Sequence, residues 1–379
     1  MASVTLGLGL LSVIVWLVLL LGRDRFWLAS ERDDLPAPVP ASWPSVTAIV
    51  PARDEADVVG RAVASLVAQD YPGAFDIILV DDSSSDGTAA IADRAGHASG
   101  RLQILRGQAL AAGWTGKLWA VAQGVDHAGT DADYLLLTDA DIAHAPDNVR
   151  NLVARAAADR LVLTSLMARL QCATLAERLL VPAFVYFFQM LFPFGAVNRP
   201  GPTAAAAGGC MLIDRAALAR AGGIAAVRGA IIDDCAMGAL MKRHGPIRLM
   251  LTNRAHSLRP YLSTAEIGAM IARSAYAQLR YSPLLLVGTL LGLGLVFVVP
   301  PVLALAAGGV GQVAGAVAWA MMILSFQPML RFYRRSPLWG IALPLIALVY
   351  AYYTLVSAVQ VWRGAGGLWK GRAQAMVGS

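Results

Sequence analysis

Charged residues and cysteines are both scarce in this chain of 379 residues. Asp, Glu, Lys and Arg make up 15% and apolar residues 57%, whereas a soluble domain has about 25% charged residues. This composition excludes a wholly soluble protein, because it leaves too little polar surface, and it excludes a disordered chain as well. The three cysteines, Cys172, Cys210 and Cys235, cannot form a disulfide framework, and they show no Cys-x-x-Cys spacing that would indicate zinc.

The chain is basic, with 31 Lys and Arg residues against 25 Asp and Glu and a net charge of +6. In a soluble protein such an excess would indicate nucleic-acid binding. Here the arginines lie beside apolar segments, so anionic lipid headgroups explain them better. We therefore expect a membrane partner and no nucleic acid.

Long apolar runs occupy both ends of the chain. The first, residues 4–22, carries no charge, and at about 1.5 Å per residue it is long enough to cross a bilayer. Arg23 and Arg25 follow it without a small-x-small cleavage site, which favours an uncleaved anchor whose C-terminal side faces the cytoplasm. Near the other end, three runs are candidate spans: 284–307, 313–330 and 338–362.

The basic residues around these C-terminal runs conflict with a simple topology. One group lies between the second and third runs and another follows the third: Arg331, Arg334, Arg335, and then Arg363, Lys370, Arg372. If all three runs crossed the bilayer, the two groups would lie on opposite sides, which the positive-inside rule disfavours. We therefore expect one run to be re-entrant or interfacial, and the sequence leaves open which one.

Between residues 45 and 262 the charges return, and short apolar runs alternate with helical patterns. Strands are predicted at 46–50, 75–80, 102–105 and 134–138, and helices at 56–69, 86–95, 117–128 and 146–158. This alternation is typical of an α/β fold with a mostly parallel sheet, whose ligand lies at the carboxyl ends of the strands. The chain is thus divided into an anchor and linker (1–44), this domain (45–262), an amphipathic helix (263–283) and a membrane region (284–379).

Two segments are predicted to lie at the membrane surface. Residues 263–283 begin with a Ser-x-x-Glu capping box, Ser263 and Glu266, and mix apolar with basic positions. Residues 175–198 contain an apolar run, 179–197, that is long enough to span, but the run includes two prolines and a glutamine. A span there would leave the acidic clusters that precede and follow it on opposite sides of the membrane, where one active site could not use both. We therefore predict an interfacial helix that docks the domain on the bilayer.

Four acidic clusters follow predicted strands or short apolar runs. They are Pro51-Ala52-Arg53-Asp54-Glu55, Asp81-Asp82, Asp139-Ala140-Asp141 and Asp233-Asp234. Turn and cap chemistry is the alternative for any lone strand-end carboxylate. The Asp139–Asp141 pair can bind Mg²⁺ or Mn²⁺ and leave positions for substrate phosphates. Paired carboxylates raise each other's pKa, which suits Asp233–Asp234 to general-base catalysis, although helix capping would explain them equally well.

Two further features lie between these clusters. Lys117, at the start of a predicted helix, could neutralise a phosphate or bond a base, or it could be an ordinary surface lysine. Gly208-Gly209-Cys210 precedes an apolar run and would allow close approach of the backbone to a ligand, or form a tight turn.

The order and spacing of these motifs are more specific than any one of them. VPARDE, VDDSSSDGT, GK, TDAD, GGCMLI and IDD resemble the family 2 nucleotide-sugar glycosyltransferases with a GT-A domain, over residues 45–281. GWTGKLWA, YLLLTDADI, IDDCA and YAQLRYSPLLL are similar to a membrane-bound subgroup, the hopene-associated glycosyltransferases, over nearly the whole chain.

The resemblance implies a Rossmann-like GT-A catalytic domain and a role for each matching residue. The nucleotide pocket would be lined by Pro51, Ala52, Arg53 and Glu55, and uracil or ribose would be bound by Asp81 and Asp82. Ribose, metal and diphosphate would be bound by Asp139 and Asp141. The acceptor side would be bordered by Gly208, Gly209 and Cys210, and Asp234 would take the proton of the acceptor hydroxyl. Relatives carry Gln-x-x-Arg-Trp before the next membrane helix. The stretch ending in Arg280-Tyr281 is one residue shorter than this motif, which disfavours processive synthesis. Arg280 could still contact the diphosphate.

The function implied is inverting transfer of a sugar from a UDP-sugar to a hydroxyl of a hopanoid-related membrane lipid, with Mg²⁺ or Mn²⁺. The enzyme would be a multi-pass protein of the bacterial inner membrane with a cytoplasmic catalytic domain. One alternative is a non-catalytic nucleotide-sugar-binding scaffold, which would bind donor without turnover. A transporter is a weaker alternative, because no C-terminal run contains Asp, Glu or Lys. The choice of UDP over GDP comes from the resemblance and from no residue of the chain, and neither the sugar nor the oligomeric state is predicted.

Overall fold

The computed structural model describes residues 2–364, 368–369 and 372–373 of the chain, which divides into two compact units. A sheet unit contains Glu31–Gln171 and Ala196–Pro260. A helical unit contains the described residues up to Ser30, Cys172–Gly195, and those from Tyr261 to residue 364. The acidic clusters all fall in the sheet unit, and the long apolar runs fall in the helical unit.

An eight-stranded sheet in the order β3-β2-β1-β4-β7-β6-β8-β5 forms the centre of the sheet unit. The strands are β1 Val46–Ala52, β2 Phe75–Asp81, β3 Leu102–Arg106, β4 Tyr134–Thr138, β5 Ile142–His144, β6 Leu163–Arg169, β7 Cys210–Asp214 and β8 Ile247–Ser257. The first four pair in parallel, as do β6 and β8, while β7 runs antiparallel to β4 and β6, and β5 antiparallel to β8. A short antiparallel pair, β9 Leu368–Trp369 and β10 Arg372–Ala373, lies outside this sheet.

Fourteen α-helices occur in the described residues. They are α1 Ala2–Leu17, α2 Val59–Val67, α3 Thr88–Gly96, α4 Gly116–His127, α5 Asn148–Asp159, α6 Leu175–Leu191, α7 Phe194–Val197, α8 Arg215–Arg220, α9 Asp233–Lys242, α10 Thr264–Gln278, α11 Pro283–Leu293, α12 Val299–Ala306, α13 Gly309–Phe332 and α14 Leu343–Trp362. The predicted α/β alternation is confirmed, because α2 to α4 follow β1 to β3 in turn. The predicted helix at 56–69 is shorter in the structure, since it begins only at Val59.

The four predicted strands occur where the sequence placed them, and their burial explains why. All seven residues of β1 are buried, as expected for a strand covered on both faces of a parallel sheet. Val46 pairs with both Phe75 and Tyr134, so the first residues of β1, β2 and β4 are aligned and the three parallel strands end at the same edge of the sheet. Strands β5, β6 and β8 were not predicted.

In the helical unit, four helices are long and apolar enough to cross a membrane among the residues that the structure describes: Ser3–Gly22, Pro283–Ala306, Gly309–Phe332 and Pro337–Trp362. They coincide with the four apolar runs of the sequence. The second is not a regular α-helix throughout, because a π-helical segment, Gly294–Val298, joins α11 to α12. Arg363 follows the last helix, while Lys370 lies outside the described residues, so the topology stays a prediction.

Helix α6 corresponds to the segment predicted to dock on the bilayer. It has 17 residues and is not one of the four candidate spans. Within the helical unit it is largely buried: the Tyr186 hydroxyl lies 2.7 Å from Ser325 Oγ of α13, and the Tyr350 hydroxyl of α14 donates to Leu180 O at 3.0 Å. Most of its apolar surface therefore packs against other helices of the unit, and its docking on a membrane stays a prediction.

The capping box predicted at the start of α10 is only half present: Ser263 caps the helix, but the Glu266 carboxylate bonds the residue before the cap instead of Ser263 N. Ser263 Oγ accepts a hydrogen bond from Glu266 N at 3.2 Å, and the Glu266 carboxylate accepts one from Leu262 N at 3.0 Å. Helix α10 packs against α14 so closely that a Cβ on Gly268 would lie 2.0 Å from the ring of Tyr353. Its predicted position at the membrane surface is not tested by these contacts.

Candidate active site

The register of the sheet brings the acidic clusters to one edge. Ala52, at the end of β1, pairs with Asp81, at the end of β2. Strand β4 ends at Thr138, directly before the Asp139-x-Asp141 motif, and Thr138 pairs with Cys210 at the start of antiparallel β7. The Gly208-Gly209 segment therefore lies beside the motif. As predicted for a sheet of this kind, the candidate residues cluster where parallel strands end.

Lys117, in the first turn of α4, joins two of the clusters. Its Nζ lies 2.9 Å from Asp139 Oδ1 and 3.1 Å from Asp233 Oδ2, and only 20% of its side chain is exposed. Burial alone would lower the pKa of this ammonium, but the carboxylates of Asp139 and Asp233 outweigh it and raise the pKa above its usual range. An ordinary surface lysine does not fit this arrangement. Lys117 is a fixed positive charge between the candidate metal motif and the candidate base.

Asp234 lies beside Lys117 at the start of α9. Its Oδ2 accepts a hydrogen bond from Gly208 N at 3.0 Å, and its Oδ1 accepts one from Cys235 N at 2.7 Å. Burial and the neighbouring charge of Asp233 raise the pKa of this carboxyl to about 6, against the opposing effect of Lys117. A carboxylate with a pKa slightly below neutrality can accept a proton from a hydroxyl in the transition state.

A pocket in the sheet unit collects several of the predicted residues. Its lining includes Pro51, Lys117, Leu137, Asp139, Gly208 and Asp233. Gly209 lies beside it, where a Cβ would be 3.3 Å from both Ala168 and Ile142, so a larger residue would crowd the segment. The pocket combines an apolar floor with one cation and two carboxylates.

Asp141 is held by a different cation, one that the sequence did not predict. Arg259 Nε lies 3.2 Å from Asp141 Oδ2, and the Arg259 guanidinium also donates to Glu55 Oε2. Arg259 was missed because it follows β8, which was not predicted, and because 118 residues separate it from Asp141. The signal available was a lone arginine next to Pro260, at the predicted domain boundary.

The remaining predicted nucleotide-pocket residues form a third group. Arg53 donates to Asp82 O, and its guanidinium lies 3.6 Å from the buried Asp82 carboxylate. Asp81 accepts from Ser84 N at 3.2 Å, and Glu55 N donates to Thr88 Oγ1 at 2.8 Å. Turn chemistry thus accounts for part of this cluster, as the alternative interpretation holds, while the ion pair positions a cation close to the strand ends.

Two predicted site residues do not face the pocket. The side chains of Ala52 and Cys210 are both fully buried in the hydrophobic core. Both lie in strands that are covered on both faces, and their predicted places at the nucleotide and acceptor sides of the site stay predictions. Arg280 belongs to the helical unit, where it follows α10 with a φ of 52°. Its role at the diphosphate stays a prediction.

A buried chain of hydrogen bonds supports the end of β4. Thr138 Oγ1 donates to Gly209 O at 2.8 Å and lies 2.9 Å from His144 Nε2, while His144 Nδ1 lies 2.8 Å from Asn148 Nδ2. Because the amide nitrogen of Asn148 can only donate, His144 Nδ1 accepts and Nε2 carries the proton. Burial and His256 lower the pKa of His144 to about 3, so the ring stays neutral. The chain ties the strand before Asp139 to the Gly208-Gly209 segment.

Replacing Thr138 with Val is expected to lower the free energy of unfolding by about 1–3 kcal/mol, because it leaves Gly209 O and the His144 N–H without their partner. Any catalytic activity of the pocket should also fall, since the two segments that flank it lose their link. Thermal denaturation and turnover of the purified protein measure both effects. Thr138→Ser retains the hydroxyl and should be nearly as stable as the wild type. A Thr138→Val variant as stable as the wild type, together with a loss in Thr138→Ser, would show that the methyl group, and not the hydroxyl, is important.

The donor set of the Asp139-Ala140-Asp141 motif fits a hard divalent cation. In the described part of the chain, no group of three His, Cys, Asp or Glu side chains could hold a metal ion alone. Mg²⁺ usually takes one or two carboxylates, several waters and the phosphates of a substrate. Two carboxylates two residues apart therefore suffice for a metal that is bound together with a diphosphate.

The sheet and its strand-end carboxylates define the Rossmann-like α/β fold called GT-A. Residues 47–222 match the family model described as glycosyl transferase family 2, which confirms a family 2 glycosyltransferase domain in this chain. The match includes Lys117, Asp139, Asp141 and the Gly208-Gly209 segment. It ends before Asp233, so the paired carboxylates of α9 and Arg259 rest on the geometry.

Curated relatives match only part of this chain. A beta-monoglucosyldiacylglycerol synthase of Synechocystis sp. is 35% identical over 112 residues, which cover 29% of this chain and 22% of that protein. A 4,4'-diaponeurosporenoate glycosyltransferase of Staphylococcus aureus is 34% identical over 106 residues, 26% of this chain and 24% of that protein. The matches thus span less than a quarter of either relative.

One solved structure resembles the chain over nearly its full length. It is the mannosyltransferase PcManGT from Pyrobaculum calidifontis in complex with GDP-Man and Mn²⁺, with a TM-score of 0.54 and 18% identity. The likeness covers 97% of this chain and 100% of that one. At this identity it shows that the fold is shared, and no more.

Proposed function

We propose that this protein is an inverting, membrane-bound glycosyltransferase that moves a sugar from a UDP-sugar to a hydroxyl of a membrane lipid. The observation that carries the proposal is the position of Lys117 between Asp139 and Asp233, with Asp234 beside it. This arrangement joins a motif suited to a metal and diphosphate to a pair of carboxylates suited to a proton. A protein that only binds a nucleotide-sugar has no need for the pair of carboxylates that can accept a proton.

The donor would bind at the strand ends. Asp81 and Asp82 would accept hydrogen bonds from the base or ribose, and Pro51, Arg53 and Glu55 would border the nucleotide. Asp139 and Asp141 would hold Mg²⁺ or Mn²⁺, which when bound neutralises the charge that develops on the leaving diphosphate. Lys117 adds a fixed positive charge at the same place.

Asp234 would act as the general base. Its two backbone hydrogen bonds, from Gly208 N and Cys235 N, hold the carboxylate in place and leave lone pairs on both oxygens for an acceptor hydroxyl. The hydroxyl loses its proton to Asp234 as its oxygen attacks the anomeric carbon, and the bond to the nucleoside diphosphate breaks. One direct displacement inverts the anomeric centre, and no enzyme nucleophile is needed.

A lipid acceptor explains why one chain carries both this domain and four candidate membrane helices. The name of the Synechocystis relative refers to a diacylglycerol, and diacylglycerols are membrane lipids. The narrower proposal of a hopanoid-related acceptor rests on the resemblance of segments such as GWTGKLWA and YAQLRYSPLLL to the hopene-associated subgroup. We further propose that the catalytic domain faces the cytoplasm from a bacterial inner membrane, because Arg23 and Arg25 follow the first span.

The test is nucleotide release from UDP- and GDP-sugars by the full chain in nanodiscs with Mn²⁺, with and without extracted hopanoids. We expect release from one donor that depends on the added lipid and is lost when a chelator removes the metal. If calorimetry shows nucleotide binding but no hopanoid gives release, either the acceptor is a different lipid or the scaffold alternative gains support. Nucleotide release that is equally fast without a lipid acceptor would contradict transfer to a lipid.

A further inference from the structure

Arg259 bridges two carboxylates that lie in different loops of the sheet unit. Its guanidinium contacts Glu55, after β1, and Asp141, after β4. The two carboxylate side chains are only 12% and 19% exposed, whereas that of Arg259 is 35% exposed. The arginine is therefore the outermost member of the group and has the most room to move.

The backbone around Arg259 is fixed while its side chain is long. Leu258 N donates to Asp141 O at 2.7 Å, and Ser257, at the end of β8, pairs with Ile142 of β5. These bonds hold the Cα of Arg259 next to the metal motif. Movement of the guanidinium therefore requires only rotation of its side-chain bonds, with no change in the sheet.

Asp141 cannot serve the arginine and a hard divalent cation fully at the same time. The Oδ2 atom that accepts from Arg259 is one of the two oxygens that the carboxylate offers to a metal. The positive charge of the guanidinium also repels a cation placed beside it. A diphosphate would offer the displaced guanidinium a better partner, because its planar fork matches phosphate oxygens in a bidentate manner.

We propose that Arg259 competes with the divalent metal for Asp141, and that it turns from Asp141 to the diphosphate of the donor when metal and donor bind together. Glu55 keeps the guanidinium charge paired within the site. The inference rests on the proposed function for the identity of the anion, a nucleoside diphosphate. Its consequence is that metal binds weakly alone and strongly with nucleotide, and by linkage nucleotide binds strongly only with metal.

The test is a titration of free Mn²⁺, followed by electron paramagnetic resonance, on the full chain in nanodiscs with and without UDP or GDP. Arg259→Gln should bind Mn²⁺ without nucleotide about threefold to tenfold more tightly than the wild type, because the competing charge is gone. Nucleotide should enhance its Mn²⁺ affinity less than it does for the wild type. Arg248→Gln, which removes an arginine paired with Asp159 outside the site, should leave both affinities unchanged.

Two results would overturn the competition. They are an Arg259→Gln variant that binds Mn²⁺ without nucleotide no more tightly than the wild type, and an equal gain in Arg248→Gln. Should Arg259→Gln fail to fold, Arg259→Met decides: its side chain keeps much of the aliphatic packing of arginine and carries no charge, so Mn²⁺ affinity without nucleotide should again rise. An unchanged affinity in this variant would also contradict the proposal.

The inference and the proposed function fail in different ways. If the wild type transfers no sugar but Arg259→Gln gains Mn²⁺ affinity, the competition stands and the transferase assignment fails. If the wild type transfers sugar and the variant gains no affinity, the transferase assignment stands and Arg259 has no part in metal binding.

Discussion

Replacing Asp234 with Asn is expected to lower kcat by about 10²- to 10⁴-fold, the usual contribution of a general base, and to leave donor affinity nearly unchanged. The amide has the same shape and its oxygen can still accept a backbone hydrogen bond, so the start of α9 should remain folded. What is lost is the carboxylate that we propose takes the proton of the acceptor hydroxyl. Nucleotide release at saturating donor and lipid measures kcat, and calorimetry measures donor affinity.

Two further variants show whether the effect is specific to Asp234. Asp159→Asn changes an exposed carboxylate, paired with Arg248, outside the site, and should retain full activity. Asp233→Asn should affect kcat less than Asp234→Asn, because Asp233 is engaged by Lys117 at 3.1 Å. If Asp233→Asn abolishes transfer while Asp234→Asn retains more than a tenth of it, the base is Asp233.

The same carboxyl sets a pH dependence. Since burial and Asp233 raise the pKa of Asp234 to about 6, kcat/KM should increase as the pH rises through about 6 and then level off. The residual activity of Asp234→Asn should not show this step. The free energy of unfolding should change with pH in the opposite direction to activity. The folded protein holds the Asp234 proton more tightly than the unfolded chain does, so its stability should fall as the pH rises from the ordinary carboxyl pKa through about 6. A wild-type activity profile without a step near pH 6 would contradict the assignment.

Much of the site was predictable because it lies where local patterns are clear. The continuous apolar runs of β1, β2 and β4 are bounded by turn residues, and the acidic clusters come directly after them. In a parallel sheet the ends of such strands meet, so residues distant in sequence were expected to cluster. The rule places Lys117, which begins the helix after β3, near this edge, but it does not place Asp233, which begins α9 and directly follows no strand.

The missed strands have polar residues in buried positions, which interrupts the pattern. In β6, Thr164 and Ser165 are both fully buried, and Ser165 Oγ exchanges hydrogen bonds with the backbone of Ala207 at 2.8 and 3.1 Å. A sequence pattern counts such residues as surface, because the backbone group that satisfies them comes from elsewhere in the chain. Arg259 follows β8, which pairs with β6, so its position beside Asp141 could not be predicted once both strands were missed.

Replacing Lys117 with Met is expected to have the largest combined effect of any single change in the site. The variant leaves Asp139, Asp233 and Asp234 close together with no cation between them. We expect kcat/KM at neutral pH to fall by about 10²-fold or more, because a fixed charge that stabilises the leaving group is lost. The free energy of unfolding should fall by about 1–3 kcal/mol, less than for a fully buried ion pair, since Lys117 is 20% exposed.

The pH profile separates this role from simple destabilisation. Lys117 lowers the pKa of Asp234, so without it the step in kcat/KM should move to a pH above about 6. Lys117→Arg keeps the charge and should keep the step near its original pH, even if the larger guanidinium reduces the rate. A Lys117→Met protein that loses activity but keeps the step in place would show that the lysine acts on the donor alone. An unchanged rate and an unchanged step would make it an ordinary surface lysine, and the link between the metal motif and the base would carry no function.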